Sequence, residues 1–322
     1  MSANTWRRSL VALFAAILSF GASQPRAETL RIGYQKYGTL VLLKSSGALE
    51  KRLAGQGIDV RWTEFPAGPQ LLEGLNVGSI DFGVTGETPP VFAQAAGADL
   101  RYVAFEPPAP LSEAILVPKD SPISSLAELK GKKVALNKGS NVHYLLVRAL
   151  EQAGLKYGDI RPVYLPPADA RAAFERGSVD AWVIWDPYLA AAEQQLHART
   201  LVDARGLADN HQFYLATRPL TEKHPEVVVA LVDEIRKIGA WSQQNPEQVT
   251  EQVAPLLGLP ADITLIAVKR QGYGAQFIGP DVVAKQQRIA DTFTRLQLIP
   301  KALRIEDVIW TPPAEAKAAA TH

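Results

Sequence analysis

Leu75 to Glu87 reads L-N-V-G-S-I-D-F-G-V-T-G-E, and Phe174 to Asp186 reads F-E-R-G-S-V-D-A-W-V-I-W-D. Gly78-Ser79-Ile80-Asp81 thus returns as Gly177-Ser178-Val179-Asp180, at 177 − 78 = 99 positions. Moving outward, the run Arg31 to Lys36 (R-I-G-Y-Q-K) aligns with Lys133 to Lys138 (K-V-A-L-N-K), at 134 − 32 = 102. Phe65-Pro66 aligns with Leu165-Pro166, at 165 − 65 = 100. Three anchors in one order, at nearly one spacing, mark an internal duplication.

Each copy alternates apolar β-rich runs with segments of helical spacing. In the first copy the strands are Leu30 to Tyr34, Ile58 to Phe65 and Ile80 to Val84, and Leu71, Leu72 and Leu75 mark a helix face. Strands separated by helices predict parallel pairing, so the fold class is α/β with two similar lobes. Tyr102 to Phe105 and Ala114 to Val117 read as strands around the turn Pro107-Pro108-Ala109-Pro110, and Gln212 to Thr217 as a return strand. After it the pattern is helical. Val227, Val228, Leu231, Val232, Ile235 and Ile238 mark one helix, and Val282, Ile289, Phe293 and Leu296 another. The simplest topology assigns residues 28–115 to the first part of one lobe and 116–214 to an inserted second lobe. Residues 215–322 then pack back on the first, and two crossing segments act as a hinge.

The 322 residues carry 34 basic and 33 acidic side chains and no cysteine. A net charge of +1 offers no basic field for nucleic acid. Without cysteine there are no disulfides, thiolate metal sites or Cys nucleophiles. Arg7 and Arg8 precede an apolar run from Leu10 to Phe20, followed by small residues. This is the pattern of a secretory signal peptide over residues 1–27, cleaved between about Ser23 and Ala27. Its removal deletes Arg7, Arg8 and Arg26 and no acid, leaving +1 − 3 = −2.

In parallel α/β sheets, ligands sit beyond the carboxyl ends of strands, near helix N-termini. The loops there are Gln35-Lys36-Tyr37-Gly38-Thr39 and Thr85-Gly86-Glu87-Thr88 in the first lobe. In the second they are Asn137-Lys138-Gly139-Ser140-Asn141 and Trp185-Asp186-Pro187-Tyr188. Glycine, hydroxyls and side-chain amides suit a weakly basic oxyanion. Bland roles compete. Thr85, Thr88, Ser140 and Asp169 are equally good helix caps, and Trp185 serves as core plug or cleft wall. Glu87 and Asp186 hold equivalent positions, fit to bind an ammonium group, to latch the lobes, or to favour a helix dipole from solvent. Lys36 and Lys138 are paired by the repeat, and lysines in loops are mostly solvated.

Catalytic motifs are missing. The five histidines show no H-E-x-x-H spacing, and there is no G-x-S-x-G elbow, P-loop or G-x-G-x-x-G. Ser140 and His143 are three apart, but nothing identifies an oriented base or an oxyanion hole. A binding protein without catalytic residue, cofactor or metal is the better reading.

Several stretches carry a resemblance. They are Ile32 to Lys36, Glu64 to Gln70, Leu75 to Asp81, Phe92 to Leu100, Lys138-Gly139-Ser140, Pro167 to Phe174, Val183 to Tyr188 and Ile309-Trp310. In these the chain resembles the periplasmic aliphatic-sulfonate-binding proteins of ABC importers, a group that also includes taurine- and nitrate-binding proteins. The resemblance implies the type II periplasmic solute-binding fold, a periplasmic monomer, an alkanesulfonate ligand, and delivery to an ABC permease and its ATPase. It implies that the sulfonate is held by Gln35, Thr85, Gly86, Gly139 and Ser140, with Trp185, Asp186 and Tyr214 nearby in the second lobe. Asn137 and Asn141 border these loops. Two positions depart from the family pattern: Glu87 replaces an aspartate, and Asn141-Val142 replaces serines. Taurine or nitrate are alternative ligands, and taurine would need Glu87 or Asp186 for its ammonium group. A thiamine-pyrimidine-synthesising enzyme shares the fold, but its cysteine-rich chemistry is absent.

Overall fold

The structure, a computed structural model, describes residues 28–319, so the signal-peptide reading of residues 1–27 lies outside the described residues. The first unit runs β1 (Glu28–Tyr34), α1 (Thr39–Ser46), α2 (Ala48–Ala54), β2 (Ile58–Glu64), α3 (Gly68–Asn76), β3 (Phe82–Gly86), α4 (Pro89–Ala95) and β4 (Leu100–Phe105). Then come β5 (Glu113–Val117), β6 (Lys133–Leu136), α5 (Asn141–Gln152), β7 (Arg161–Tyr164), α6 (Pro167–Glu175), β8 (Ala181–Trp185), α7 (Tyr188–Gln195) and β9 (Arg199–Asp203). The last third holds β10 (Gln212–Thr217), α8 (Arg218–Lys223), α9 (Pro225–Gln244), α10 (Pro246–Leu257), α11 (Ala261–Arg270), β11 (Gln276–Phe277), α12 (Pro280–Arg295) and α13 (Ala314–Ala319).

Two sheets form, with orders β11-β4-β10-β3-β1-β2 and β7-β6-β8-β5-β9. The duplication is visible in them: β2-β1-β3 and β7-β6-β8 share one arrangement, all parallel. The remaining strands are antiparallel. β10 inserts between β3 and β4, and β5 between β8 and β9. Because β5 pairs only within the second sheet and β10 within the first, the chain crosses over 106–112 and 204–211. Both crossings lie a few residues before the boundaries at 115 and 214 drawn from sequence. The two segments bond to each other, Glu106 N–H to Gln212 O at 2.9 Å and Ala109 N–H to Asp209 O at 3.0 Å. They form one paired strap rather than two independent tethers.

Each sheet has its own core. Ile32, Leu40, Leu43, Phe82 and Leu231 are fully buried in the first, and Val134, Leu145, Trp182 and Val183 in the second. The C-terminal helices do not all return to the first lobe. α9 and α10 pack on α1, but Ile263 and Ala267 of α11 pack on Ala190 and Ala191 of α7. Ile289, Ala290 and Phe293 of α12 join the second core. The small α7 side chains let α11 approach closely, which no helical periodicity in α11 itself encodes.

Candidate ligand-binding cleft

The carboxyl ends of β1, β2 and β8 converge on a cleft of about 340 Å³. Gln35, Lys36 and Tyr37 follow β1, Phe65 and Pro66 follow β2, and Trp185, Pro187 and Tyr188 come from the end of β8 and the start of α7. Leu257 and Leu259 complete the wall, with Glu64 and Arg171 also lining it. α1 begins just after Tyr37 and α7 at Tyr188, so two helix N-termini bring partial positive charge to this end of the cleft. Most of the wall is apolar or aromatic. Its charged members are Lys36, Glu64 and Arg171, with Lys36 Nζ 3.6 Å from a Glu64 carboxylate oxygen.

Of the residues given a ligand role in sequence, Gln35 and Trp185 line this cleft, together with Lys36, Tyr37, Pro187 and Tyr188 of the same loops. Gln35 is buried, donates one amide hydrogen to Val84 O at 3.1 Å and also meets the Tyr37 hydroxyl with its side chain. Tyr37 donates to Gln212 Oε1 at 2.8 Å, joining the β1 loop to β10.

Thr85, Gly86, Asn137, Ser140 and Asn141 form a buried layer where the lobes meet. The Asn141 side chain lies against Gly86, so a Cβ there would stand 2.7 Å from Asn141 Oδ1. The Asn141 amide donates to Glu113 Oε2 and to Asn210 Oδ1, and the Asn210 amide donates to Ala109 O and Ser112 Oγ. Asn141 therefore ties α5 to the start of β5 and, through Asn210, to both crossing segments. Thr85 Oγ1 donates to Gly86 O, and Ser140 Oγ to Asn137 O at 2.7 Å. Neither hydroxyl caps a helix, while Thr88 Oγ1 and Asn137 Oδ1 are buried without a partner.

Four expectations are corrected. The Gly139 N–H donates to His143 Nδ1 at 3.2 Å, so this amide is taken by its own lobe rather than offered to an anion. That bond also separates His143 from any nucleophilic pairing with Ser140, and burial pushes the imidazole down to about 3. Tyr214 lies in the first lobe. Its ring stacks on Phe82 at 6.0 Å and its hydroxyl donates to Glu106 Oε1 at 2.8 Å, because β10 belongs to that sheet. Asp186 accepts Ala190 N–H at 2.9 Å, with its other oxygen 3.6 Å from the Arg270 guanidinium, which also bonds Glu193. It anchors α7 and α11. Glu87 accepts His211 N–H at 3.0 Å and borders a different cavity of about 700 Å³, with Asp209, Lys285 and Arg288. The two acids paired by the repeat have separate partners.

Burial dominates the electrostatics of the junction. It raises Glu87, Glu106 and Asp186 to about 7, and Glu113 well above the carboxylate range with Glu87 adding to the effect. Glu106 and Glu113, Arg171, Leu257 and Leu259 escaped the sequence reading. The acids flank the proline-rich crossing, and Leu257-Gly258-Leu259 is a helix C-cap pattern, so the signals were present but pointed to turns.

A family model described as NMT1/THI5 like matches residues 53–249. An Escherichia coli (strain K12) protein named for aliphatic sulfonate binding is 47% identical over 96% of this chain and 97% of its own length. The crystal structure of the periplasmic aliphatic sulphonate binding protein SsuA from Escherichia coli is 49% identical. It superimposes with a TM-score of 0.81 over 89% of this chain and 93% of that one. The alkanesulfonate-binding protein SsuA from Xanthomonas axonopodis pv. citri, bound to MOPS, is 41% identical with a TM-score of 0.85 over 90% of this chain and 99% of that one. Near-complete coverage in both directions means that one overall architecture is shared, and the chain belongs to the family of aliphatic-sulfonate-binding proteins within the NMT1/THI5-like group.

Proposed function

We propose that this protein captures an alkanesulfonate in the periplasm and delivers it to an ABC permease powered by a separate ATPase. The observation that carries the reading is the division of the cleft. Gln35 brings an amide donor and two helices begin at the lining, while Phe65, Pro66, Trp185, Tyr188, Leu257 and Leu259 supply apolar surface beside Lys36, Glu64 and Arg171. A sulfonate is a weakly basic monoanion with three acceptor oxygens, well served by neutral donors. An alkyl chain attached to it would bury against Phe65, Trp185 and Tyr188. A tail ammonium is served less well, because among the described residues the acid lining the cleft is Glu64, 45% exposed and beside Lys36. Ligand contacts from both lobes favour the closed state, so capture and closure are coupled.

The test is thermal unfolding of the purified protein with short alkanesulfonates, taurine, sulfate and nitrate, followed by calorimetry. A ligand at about a hundred times its Kd adds roughly 2.7 kcal/mol, enough to move the midpoint by a few degrees. A shift with alkanesulfonates alone supports the reading. A shift with taurine or nitrate alone would replace the ligand while leaving the importer role.

A further inference from the structure

One wall of the cleft belongs to neither set of strand-end loops. It is the turn Leu257-Gly258-Leu259 between α10 and α11. Gly258 ends α10 in the left-handed region at φ 66°, and its N–H bonds Ala254 O. Leu259 N–H reaches the same carbonyl at 3.3 Å. Such a cap fixes the backbone on both sides of the glycine, so the two leucines have little freedom to withdraw.

Their anchoring differs. Leu257 packs on the core of the first lobe, whereas Leu259 packs on the small cluster in which Ile263 and Ala267 of α11 meet Ala190 and Ala191 of α7. At the other end of α11, Arg270 holds Glu193 at 2.8 Å. The turn is thus braced against both halves of the molecule, and both leucines remain partly exposed to the cleft. A stop built this way is stiffer than a loop side chain.

We propose that Leu259, displayed by the Gly258 turn, is the stop that sets how long an alkyl tail the cleft accepts. The inference rests on the sulfonate reading and adds the residue that sets tail length. A cleft of about 340 Å³ holds roughly eleven water-sized groups of about 30 Å³ each. A sulfonate head and a chain of a few carbons fill that space. Up to the stop, each added methylene buried tightens binding about fourfold; beyond it, the gain ends.

The experiment is calorimetry on the full mature protein with the linear series from methanesulfonate to octanesulfonate, for the wild type, Leu259→Ala and Leu259→Trp. The wild-type affinity climbs with chain length and then levels off. The break moves to longer chains in Leu259→Ala and to shorter ones in Leu259→Trp, while methanesulfonate affinity stays within about twofold. An unchanged break in both variants overturns the proposal. So does a loss as large for methanesulfonate as for octanesulfonate, which would place Leu259 in lobe closure. If the wild type binds no member of the series, the sulfonate reading itself fails and the stop with it. Melting curves of both variants confirm that the compared proteins are folded.

Discussion

Asp81 and Asp180 do the same work in the two lobes. Each carboxylate accepts the backbone N–H of the first strand of its repeat, at Arg31 (2.9 Å) and Lys133 (2.7 Å), and each returns its own N–H to that residue's carbonyl. The repeated Gly-Ser-Ile/Val-Asp is therefore a device that locks the third strand of each unit to the first. The copies are not equal. Asp81 also holds the Arg31 guanidinium, through Nε at 2.9 Å and a second nitrogen. Asp81→Ala should cost about 2 kcal/mol and Asp180→Ala about 1 kcal/mol. Denaturant midpoints with unchanged slopes would show it, and equal losses would mean that the guanidinium pair contributes nothing.

That device explains how much of the fold could be read in advance. The repeat reports local strand pairing, which sequence encodes directly, so β1 to β3 and β6 to β8 emerged with their helices. Where the long-range partners are chosen by shape, the reading failed. Nothing in the spacing of Ile263 and Ala267 says that α11 will rest on the alanines of α7. The site divided in the same way. Gln35 and Trp185 were expected beyond strand ends, and those strand ends do line the cleft. Spacing did not announce the partners of Gly139, Asp186 and Tyr214, or the lobe of Tyr214, because His143, Arg270 and Glu106 lie on other elements or a helical turn away.

The contact between Gly86 and Asn141 joins the lobes and should be felt in binding. A methyl at Gly86 meets Asn141 Oδ1 at 2.7 Å and its Cβ at 3.0 Å. Gly86→Ala should therefore weaken ligand binding about tenfold by opposing closure, and adding Asn141→Ala should restore part of it. Calorimetry on the four proteins of this double-mutant cycle measures the coupling. Strict additivity would show that the two loops do not touch in the bound state.

Stability should fall as pH rises from about 4.5 to 7. Glu87, Glu106 and Asp186 titrate near 7 when folded and near 4 when unfolded, so in that window the native state holds more protons. Each contributes a slope of up to about −1.4 kcal/mol per pH unit. His143 opposes them. Held near 3 by burial, it adds stability as pH rises from there to its unfolded value of 6.5. Three carboxyls outweigh it, and above 6.5 they act without its opposition. Glu87→Gln keeps an acceptor for His211 N–H and should flatten the profile by one carboxyl's share. Chemical denaturation from pH 4.5 to 8 checks this, and an identical profile in the variant would show that Glu87 is not protonated near neutrality.

Gln35 offers the clearest contrast with the tail wall. One amide hydrogen is engaged by Val84 O and the side chain also meets the Tyr37 hydroxyl, so a charged ligand oxygen in the cleft would take over the second amide hydrogen. Hydrogen bonds to charged groups contribute about 1.5–3 kcal/mol, so Gln35→Ala should weaken binding at least tenfold. Gln35→Glu should weaken it further, by placing a carboxylate against the anion. Because the lost interaction belongs to the head, the factor should be the same from methanesulfonate to octanesulfonate. A loss that grows with chain length would put Gln35 on the tail and reverse the orientation of the ligand in the cleft.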